Sequence, residues 1–396
     1  MHVVMFADQH LESLGGAQVS MRLQRRFLER AGHTVTVVAP RMHSATHMSD
    51  AAYLDTPSIP ITVDREYALT WPGRRADRFI DAALVSRPPV DVVHVQADFW
   101  GAFLGHRLAR RRGLPVVHTM HNRVDVGIEA TSPLPGLTMR ALNLWQRRAL
   151  PPIEVVPRGT DGWSYLAGLA AGAAAVTAPS AHFARRLEQH GVFPRVDVVW
   201  NGIDDDALDA ALAARRPRLP GLPRFVWVGR MSPEKRLLPF LRALAESGVR
   251  AEVEVIGGGG ELRAARRIVE TARPAASVSF AGRLPYATTL ERIAAADAVV
   301  QTSVGFETQG MTVFEAASLG TPSIVSDPDI AAELGAGTWP VDGGASVAGL
   351  AAALRTAAAA IESGSTPAPD PGVAERFRQS SRTAAMIEVY ERAIAR

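Results

Sequence analysis

The sequence contains no cysteine among its 396 residues, which excludes a disulfide-stapled secreted scaffold and any zinc site built from thiolates. Its longest stretch of low polarity, residues 166–178, is shorter than the roughly 20 apolar residues that a membrane-spanning helix needs. The amino terminus has no basic segment ahead of its apolar run, so we predict a strand there and not a signal peptide. We therefore expect a cytoplasmic protein, with peripheral attachment to the inner face of the cell membrane as an open alternative.

Lysine and asparagine are nearly absent, since Lys235 is the single lysine among 43 basic residues and only three asparagines occur. This bias, together with alanine-rich stretches, indicates a coding background in which arginine replaces lysine wherever the chemistry permits. A position that keeps lysine then indicates a need for a compact, flexible point charge, with chance survival as the alternative. The net charge of +3 is too small to predict a nucleic-acid partner.

Short apolar runs typical of buried strands alternate with amphipathic helical stretches in both halves of the chain. This rhythm predicts an α/β protein with two doubly wound parallel sheets, each with helices on both faces. The predicted strands are residues 3–6, 34–38, 92–95 and 116–117 in the first half and 225–228, 252–256, 278–280, 298–301 and 323–325 in the second. For residues 41–75 and 123–160 we expect loops or variable helices.

We predict an N-terminal domain over residues 1–203 and a C-terminal domain over residues 204–372. A turn-rich stretch with Pro217, Pro220 and Pro223 precedes the first strand of the second sheet. A last amphipathic helix, residues 373–396, is expected to complete the N-terminal domain. In such sheets ligands bind at the carboxyl ends of the strands, so functional residues are sought there.

The segment from Val228 to Lys235 follows a predicted strand and precedes a helix. Arg230 and Lys235 could converge there on one polyanion such as a diphosphate, helped by helix N-terminal amides. The alternative is a solvated basic loop. Four glycines at residues 257–260 follow the next strand, where the backbone could approach a ligand closely; a plain tight turn is the alternative.

Two carboxylates, Glu307 and Glu315, flank a loop that becomes a helix near Gly310. A carboxylate suits a sugar because it accepts two hydrogen bonds from a vicinal diol. The backbone amides of residues 309–312 could meet the same ligand. We expect Glu315 to be half-buried and to need a partner. The alternative is that Glu307 caps the helix and Glu315 lies on the surface.

Two histidines, His118 and His121, and the rare Asn122 end a strand of the first half. Histidine can bond a sugar hydroxyl or stabilise a reacting centre, although a structural role is the alternative. The pair lacks the further ligands of a zinc site, so we predict no metal there. The acidic run at residues 204–206 is expected to cap the next helix. No nucleophile elbow, P-loop or metalloprotease motif is present in the sequence.

Taken in order, these motifs resemble those of retaining GT-B glycosyltransferases of family 4, over nearly the whole chain. The matching segments are residues 15–17, 115–122, 178–180, 201–204, 229–235, 257–261, 280–283 and 307–315. The resemblance implies two Rossmann-like domains facing a central cleft. It also implies transfer of a hexosyl group, with retention, from a nucleotide-diphosphate sugar to a lipid, small-molecule or glycan acceptor.

The resemblance further implies catalytic roles for His121, Arg230, Lys235 and Glu307. Arg230 and Lys235 would hold the diphosphate, Glu307 a sugar hydroxyl and Glu315 the ribose. The implied donor-binding residues are Gly16, Gly229, Arg230, Lys235, Gly258, Arg283, Leu284, Glu307, Gln309, Gly310, Met311, Thr312 and Glu315. No metal or cofactor is implied, because cationic side chains take the metal's place. UDP is the expected nucleotide, with GDP as the second choice, and the oligomeric state is left open.

Two departures from the family pattern bear on the donor and the acceptor. Gly258 stands where members often carry aspartate. Thr308 and Gln309, together with the His118–His121 segment, are similar to those of bacterial members that glycosylate diacylglycerol or similar lipids, which adds a membrane lipid to the small-molecule and glycan acceptors under consideration. Two arginine-rich stretches, residues 22–30 and 107–112, could dock on anionic lipid, although a solvated face is the favoured interpretation. The rival functions are a GT-B-fold sugar-nucleotide epimerase and a non-catalytic carbohydrate-binding protein.

Overall fold

The computed structural model describes residues 1–13, 16–43, 50–62, 65–150, 159–215, 221–343 and 345–396, with side chains left out at 130 and 131. The expectations for Gly15, Pro217 and Pro220 concern residues outside this description. The chain divides into two compact units, one comprising Met1–Gly202 with Arg382–Arg396 and the other Ile203–Ser381.

The first unit is built around a parallel sheet. Its strands are β1 (His2–Ala7), β2 (Thr34–Pro40), β3 (Tyr53–Thr56), β6 (Val92–Gln96), β7 (Val116–Thr119), β8 (Ala175–Ala178) and β9 (Val196–Val198), while β4 (Ile59–Pro60) and β5 (Ala68–Leu69) form a small antiparallel pair. The sheet order is β3-β2-β1-β6-β7-β8-β9, with parallel pairing throughout. The helices are α1 (Gly16–Arg30), α2 (Arg74–Ala83), α3 (Trp100–Arg112), α4 (Val124–Thr131), α5 (Pro135–Ala149), α6 (Gly162–Ala170) and α7 (Ala181–Gln189).

Helices cover both faces of this sheet, which explains why every residue of β1 is buried. Alternate side chains of β1 enter different cores, as the two-residue period of a strand requires. Val4 and Phe6 pack in a cluster with Phe103 of α3, whereas Met5 packs in a second cluster with Tyr390. Burial on both faces is the reason that these strands appear in the sequence as short, continuous apolar runs.

The second unit repeats this architecture around its own core. Its strands are β10 (Arg224–Val228), β11 (Glu252–Ile256), β12 (Ser277–Gly282), β13 (Ala298–Gln301), β14 (Ser323–Val325) and β15 (Thr338–Pro340). They pair in parallel in the order β12-β11-β10-β13-β14-β15. The helices are α8 (Asp205–Ala214), α9 (Leu237–Ser247), α10 (Leu262–Ala272), α11 (Tyr286–Ala295), α12 (Met311–Ser318), α13 (Pro328–Leu334), α14 (Val347–Ser363) and α15 (Val373–Phe377), and α16 (Gln379–Ile394) leads from this unit into the first.

The single last helix predicted over residues 373–396 is wrong. α15 ends at Phe377, Arg378 adopts an extended ψ of 138°, and a separate helix begins at Gln379. Phe377 stacks on Phe314 with ring centroids 4.5 Å apart, and Arg378 forms a parallel bridge with Ile203. These contacts hold the segment before Arg382 in the second unit, whereas the sequence analysis places its return at 373.

The arginines of α3 are engaged by carboxylates of the neighbouring helix α2. Arg107 and Arg111 both donate to Asp77, and Arg111 and Arg112 both pair with Asp81. Opposite charges thus offset much of the basic character that could have attracted anionic lipid. Among the described helices, none has the length and apolarity needed to cross a membrane.

Candidate active site

The cationic loop of the second unit connects β10 with α9. β10 ends at Val228, a 3₁₀ turn spans Pro233–Lys235, and α9 begins at Leu237. Arg230 and Lys235 therefore lie at the carboxyl end of a central strand, as the sequence predicts. Lys235 closes the 3₁₀ turn and is not part of the helix that follows.

Arg230 is the more exposed of the two cations, with 67% of its side chain accessible. Its Nη2 donates to Glu234 Oε1 over 2.9 Å, and its Nε donates to Ser232 Oγ over 3.3 Å. Partial burial opposes ionisation of Glu234, but the bonds from Ser232 and Arg230 outweigh it and hold the pKa of Glu234 below its usual value. Arg230 is thus oriented by its own loop and remains open to solvent.

Lys235 links this loop to the one that follows β13. Its Nζ donates to Glu307 Oε1 and lies 5.9 Å from the ring centroid of Phe306. Ser303 Oγ donates to the same Glu307 oxygen over 3.0 Å. Glu307 is thus held by Lys235 and Ser303, and Gly310 occupies the N-cap position of α12. The geometry favours the paired carboxylate over the capping alternative.

This pair lies where the strand order of the second sheet reverses. From β10 the chain moves to β11 on one side, and the neighbour on the other side is β13. In doubly wound sheets the loops at such a reversal diverge and leave a crevice at the carboxyl ends of the strands, which is where ligands bind. Lys235 and Glu307 are the charged side chains that bridge these two loops.

Sequence analysis missed the residue that holds the Glu307 loop in place. Asp327, which follows β14, is 3% exposed and accepts hydrogen bonds from the backbone N–H of Gly305 over 2.7 Å and of Asp329 over 3.0 Å. One carboxylate therefore fixes the loop and caps α13 together. Its position immediately after a predicted strand is the signal that could have found it.

Glu315 lies inside α12 and is 7% exposed, more buried than expected. Its partner is Tyr286, whose hydroxyl donates to Glu315 Oε1 over 3.0 Å. Burial raises the pKa of Glu315 to about 7, although the bond from Tyr286 acts in the opposite direction. The surface alternative for Glu315 is wrong, and the carboxyl is poised to gain from any further hydrogen-bond donor.

The glycines of residues 257–260 allow two loops to approach each other closely. Gly257 has φ 129°, and a Cβ there would lie 1.9 Å from the carbonyl oxygen of Gly229. A Cβ at Gly259 would lie 2.4 Å from the carbonyl oxygen of Met231. Close contact between the β10 and β11 loops thus requires glycine at both positions.

Gly258 differs from its neighbours because a side chain would fit there. A Cβ at this position would lie 3.5 Å from Arg283 Nε, an ordinary contact distance. Arg283 is exposed and Leu284 partly buried, in the connection after β12. The carbonyl oxygen of Gly258 also accepts from Met231 N over 2.9 Å, which ties the loop after β11 to the cationic loop.

The other donor-binding candidates are placed as follows. Gln309 is 2% exposed, and Met311 and Thr312 form the partly exposed first turn of α12. Gly229 follows β10 directly. In the first unit Gly16 begins α1, with open space around its α-carbon. The acidic run caps α8, because Asp204 accepts from Asp206 N, as predicted.

His121 of the first unit lies in a buried hydrogen-bond network at the carboxyl end of its sheet. Its Nε2 is 3.0 Å from Gln96 Oε1, and Gln96 Nε2 donates to Gln24 Oε1 over 2.8 Å. Burial lowers the pKa of His121 to about 4, so the ring is neutral near pH 7. His118 points to other partners, Ala97 O at 3.0 Å and His106 at 3.2 Å, and its role there is structural.

Two further carboxylates of this unit were missed by sequence analysis. Asp8 follows β1 and accepts from backbone N–H groups at the start of α3, among them Asp98 N over 2.7 Å and Gly101 N over 2.8 Å. Asp98 follows β6, is 1% exposed and accepts from the side chain of the exposed Asn122, while its Oδ1 has no hydrogen-bond partner among the described residues. Burial, then the charge of Asp8, raises the pKa of Asp98 to about 7.

No group of three or more histidine or carboxylate side chains in the described part of the chain is placed to hold a metal ion. The run of three aspartates from Asp204 onward is occupied with the cap of α8.

Comparison with known proteins gives two family matches that cover most of the chain. Residues 14–207 match the description Glycosyltransferase Family 4, and residues 214–336 match Glycosyl transferases group 1. An alpha-monoglucosyldiacylglycerol synthase of Streptococcus pneumoniae is 24% identical over 341 residues, which cover 82% of this chain and 70% of that protein.

Solved structures share the fold over the full length. A HepE protein of Anabaena, in complex with UDP and glucose, superposes with a TM-score of 0.64 at 16% identity, covering 99% of each chain. A sucrose-phosphate synthase of Thermosynechococcus elongatus superposes with a TM-score of 0.67 at 15% identity, covering 100% of this chain and 99% of that one. These likenesses confirm the predicted GT-B fold with its two parallel sheets.

Proposed function

The chain belongs to glycosyltransferase family 4, with a second unit of the group 1 type, and on this premise we propose that it transfers a hexosyl group from a UDP-sugar to a lipid hydroxyl with retention of configuration. The observation that carries the proposal is the Lys235–Glu307 pair at the reversal point of the second sheet, with Arg230 on the same loop. A cationic pair and a carboxylate at that edge suit a ligand that is both a diphosphate and a polyol.

Lys235 and Arg230 are proposed to bind the diphosphate and stabilise the charge that develops as it departs. Both are tethered to carboxylates, Glu307 and Glu234, which hold them in place before a ligand arrives. Preorganised charge of this kind is usually the largest single contribution to catalysis. Gly229 and Gly258 belong to the loops after β10 and β11, whose backbones approach each other closely.

Glu307 and Glu315 are proposed to bind hydroxyl groups at the two ends of the donor. Glu307 would accept from the sugar, and its Oε1 is already oriented by Lys235 and Ser303. Glu315 would accept from the ribose, because a diol lowers the cost of holding that buried carboxylate ionised. Backbone groups of Arg283 and Leu284 would contact the base. The first turn of α12, with Gln309, Gly310, Met311 and Thr312 at its start, would supply amides.

Retention follows if the acceptor hydroxyl attacks the anomeric carbon on the face that the diphosphate leaves. The new carbon–oxygen bond forms as the carbon–phosphate-oxygen bond breaks, and the hydroxyl proton passes to the departing phosphate oxygen. No enzymatic nucleophile is needed, and the cationic side chains take the place of a metal. His121, which is neutral because burial lowers its pKa to about 4, would act as a hydrogen-bonding group and not as a general acid. Gly16 would contribute backbone only.

A diacylglycerol-type lipid is the proposed acceptor, and peripheral attachment to the inner face of the membrane is proposed with it. The support is the relative from Streptococcus pneumoniae, whose name describes a monoglucosyldiacylglycerol synthase, together with the Thr308–Gln309 sequence beside Glu307.

Thermal unfolding with UDP, GDP and ADP tests the donor assignment. We expect a clear rise of Tm with UDP, since a ligand at about 100 times its Kd adds about 2.7 kcal/mol of stability. Glu315→Gln should weaken UDP binding about tenfold through loss of a charge-assisted hydrogen bond. Glu362→Gln, at an exposed carboxylate of α14, is the matched control and should bind UDP as the wild type does.

Product analysis tests the reaction itself. With UDP-glucose and dioleoylglycerol in mixed micelles, we expect an α-glucosyl lipid by NMR, formed equally with and without EDTA. A β-linked product would contradict retention, and loss of activity in EDTA would contradict the metal-free mechanism. UDP release without any acceptor would favour the epimerase, and no Tm rise with any nucleotide would favour a carbohydrate-binding protein.

A further inference from the structure

Helix α5 of the first unit has polar side chains on its inner face. Asn143 and Gln146 are 2% and 4% exposed. Asn143 Nδ2 donates to the carbonyl oxygens of Met139 over 2.9 Å and Asp161 over 3.1 Å, and Gln146 Nε2 donates to Tyr165 O over 2.6 Å. These bonds fix which side of the helix faces the protein.

The exposed side of the same helix carries apolar residues. Leu137 is 59% exposed and Leu144 48%, with the exposed Ala141 between them on the same stripe. Leu134, immediately before the helix, is 60% exposed. The helix also buries apolar residues, since Met139 and Ala149 lie in the core and Leu142 and Trp145 pack against it. The exposed leucines are therefore apolar surface beyond what the core uses, which indicates contact with something other than water.

An aromatic pair extends the apolar surface beyond the helix. Trp71, in the connection before α2, is 66% exposed and stacks on Trp145 of α5 with ring centroids 5.5 Å apart. Indole rings are enriched at the boundary between water and lipid, where one end of the ring is apolar and the other polar. We name Trp71, Leu134, Leu137 and Leu144 the α5 face.

Exposed apolar side chains are concentrated in the first unit. Among the described residues, the large hydrophobic side chains that are exposed belong to the first unit with the exception of Leu222. Scattered exposed hydrophobics are ordinary, but a contiguous set on one helix indicates an interaction site. The asymmetry places that site on the first unit.

The charged side chains of α5 itself are all arginine. α5 carries Arg140, Arg147 and Arg148 on its exposed side and no carboxylate. Arg74 and Arg75 follow Trp71 and are also exposed. By contrast, the arginines of α3 are matched by Asp77 and Asp81. An apolar stripe flanked by unmatched arginine charge is complementary to a bilayer that contains anionic lipid.

We propose that the α5 face docks the first unit on an anionic membrane surface, with α5 lying in the interfacial plane. Trp71, Leu137 and Leu144 enter the acyl boundary, and Arg140 and Arg148 contact lipid phosphates. At 15 residues the helix is shorter than the about 20 needed to span a bilayer, so it lies on the surface. The inference deepens the proposed function and rests on it in one respect, because the lipid acceptor lies in the same bilayer.

Co-sedimentation with vesicles tests the docking without donor or acceptor. We expect the wild type to bind vesicles that contain phosphatidylglycerol at least tenfold better than pure phosphatidylcholine vesicles, and salt should release it. Leu137→Ser/Leu144→Ser should lose at least tenfold in binding, and Arg140→Gln/Arg148→Gln about tenfold. The matched controls are Ile59→Ser/Val85→Ser, 65% and 80% exposed elsewhere in this unit, and Arg263→Gln/Arg267→Gln on the exposed side of α10.

The controls should bind within twofold of the wild type. Equal binding by the Leu137→Ser/Leu144→Ser variant, or no vesicle binding by the wild type, would overturn the proposal. So would a wild-type dimer that this variant converts to a monomer, since the face would then join two copies of the chain. The Tm rise with UDP, measured on the same variants without vesicles, confirms that they are folded. It also separates failure of the docking from failure of the proposed function.

Discussion

The polar groups at the carboxyl ends of the two sheets differ in burial and in ionisation. In the first unit, the groups that follow β6 and β7 are buried, and burial favours their neutral forms; the pKa of Asp98 is raised to about 7 and that of His121 lowered to about 4. In the second unit, the groups that follow β10 and β13 are ionic and partly open to solvent, with Lys235 a quarter exposed beside Glu307.

The two arrangements suit different functions, one fixing geometry and the other binding an anion. A dense network of neutral hydrogen bonds fixes geometry but offers little field to an anion, whereas partly solvated charges keep a field without the full cost of desolvation. The first unit is therefore the more sensitive to loss of a buried partner. The second is the more sensitive, in function, to loss of a charge.

The largest expected effect is on the charged edge. Lys235→Ala should lower kcat/KM for the donor by about 100- to 1000-fold, the range found when one preorganised electrostatic group is removed from a site. Its Tm should change little, because a partly exposed ion pair contributes little to stability. Initial-rate kinetics with UDP-glucose and a Tm measurement check both parts.

Lys235→Arg serves as the control for charge alone. A planar guanidinium can pair with Glu307 and lie on the Phe306 ring, but it is larger than the compact ammonium and differs from it in shape, so we expect partial recovery only. Near-normal kinetics in the alanine variant would contradict the assignment of this lysine to the donor site.

The second prediction removes a side chain from the buried, neutral hydrogen-bond network of the first unit. His94 is fully buried and lies 2.7 Å from Thr119 Oγ1 and 2.7 Å from the hydroxyl of Tyr390. His94→Leu removes one hydrogen-bond partner from each hydroxyl, while Thr119 keeps Thr177 and Tyr390 keeps Gln24. With the buried ring also lost, we expect a loss of about 2–4 kcal/mol in the free energy of unfolding. Chemical denaturation, monitored through hydrogen exchange of the backbone amides of β6 and β7, measures this loss of stability within the first unit.

A double-mutant cycle with Tyr390→Phe tests the cause. If the cost comes from unsatisfied hydroxyls, the second change should restore part of the stability in the His94→Leu background while it costs stability alone. Strictly additive effects would show that the histidine contributes packing and not hydrogen bonds.

The strands of both central sheets could be predicted because burial on two faces gives short, continuous apolar runs. β8, Ala175–Ala178, was missed since its two β-branched residues, Val176 and Thr177, stand in an alanine-rich stretch that the sequence does not separate from the preceding helix. β9 and β15 are short strands at the edges of their sheets, with three residues each. The break at Arg378 depends on its contacts with Ile203 and Asp209, which only tertiary structure reveals.

The candidate site was predictable where spacing carries the signal. Arg230, Lys235, Glu307 and Glu315 all follow or flank predicted strands and helices, and the contact of Lys235 with Glu307 joins two of them. The partner of Glu315, Tyr286, could not be predicted because it comes from the start of another helix, α11, 29 residues away. The exposed apolar residues of α5 were also hidden, since leucine and asparagine on one helix do not reveal which face is buried.

The smallest expected effect is on the pH dependence of the stability of the first unit. The native pKa of Asp98 is about 7 against a usual 3.8, so between these values the folded state holds a proton that the unfolded state has released. The contribution of Asp98 to the free energy of unfolding then falls as pH rises from about 4 to about 7. Asp98→Asn keeps an acceptor oxygen for Asn122 and removes this titration. We expect it to gain about 2 kcal/mol relative to the wild type between pH 5 and pH 8.

The buried histidines contribute with the opposite sign over an overlapping pH range. The pKa values of His94 and His121 are lowered to about 3 and about 4, so their contribution is present above the usual 6.5 and is lost as pH falls through the lowered values. Asp8, whose pKa burial raises to about 6, contributes with the same sign as Asp98. The test is therefore the difference in stability between Asp98→Asn and the wild type, which should grow from pH 5 to pH 8. Asp342→Asn, at an exposed carboxylate of the second unit, should not differ from the wild type when exchange of β6 and β7 is followed over the same range. A difference for Asp98→Asn that stays constant from pH 5 to pH 8 would show that this carboxyl is ionised in the folded protein at neutral pH, and the contrast between the two sheet edges would then rest on the histidines alone.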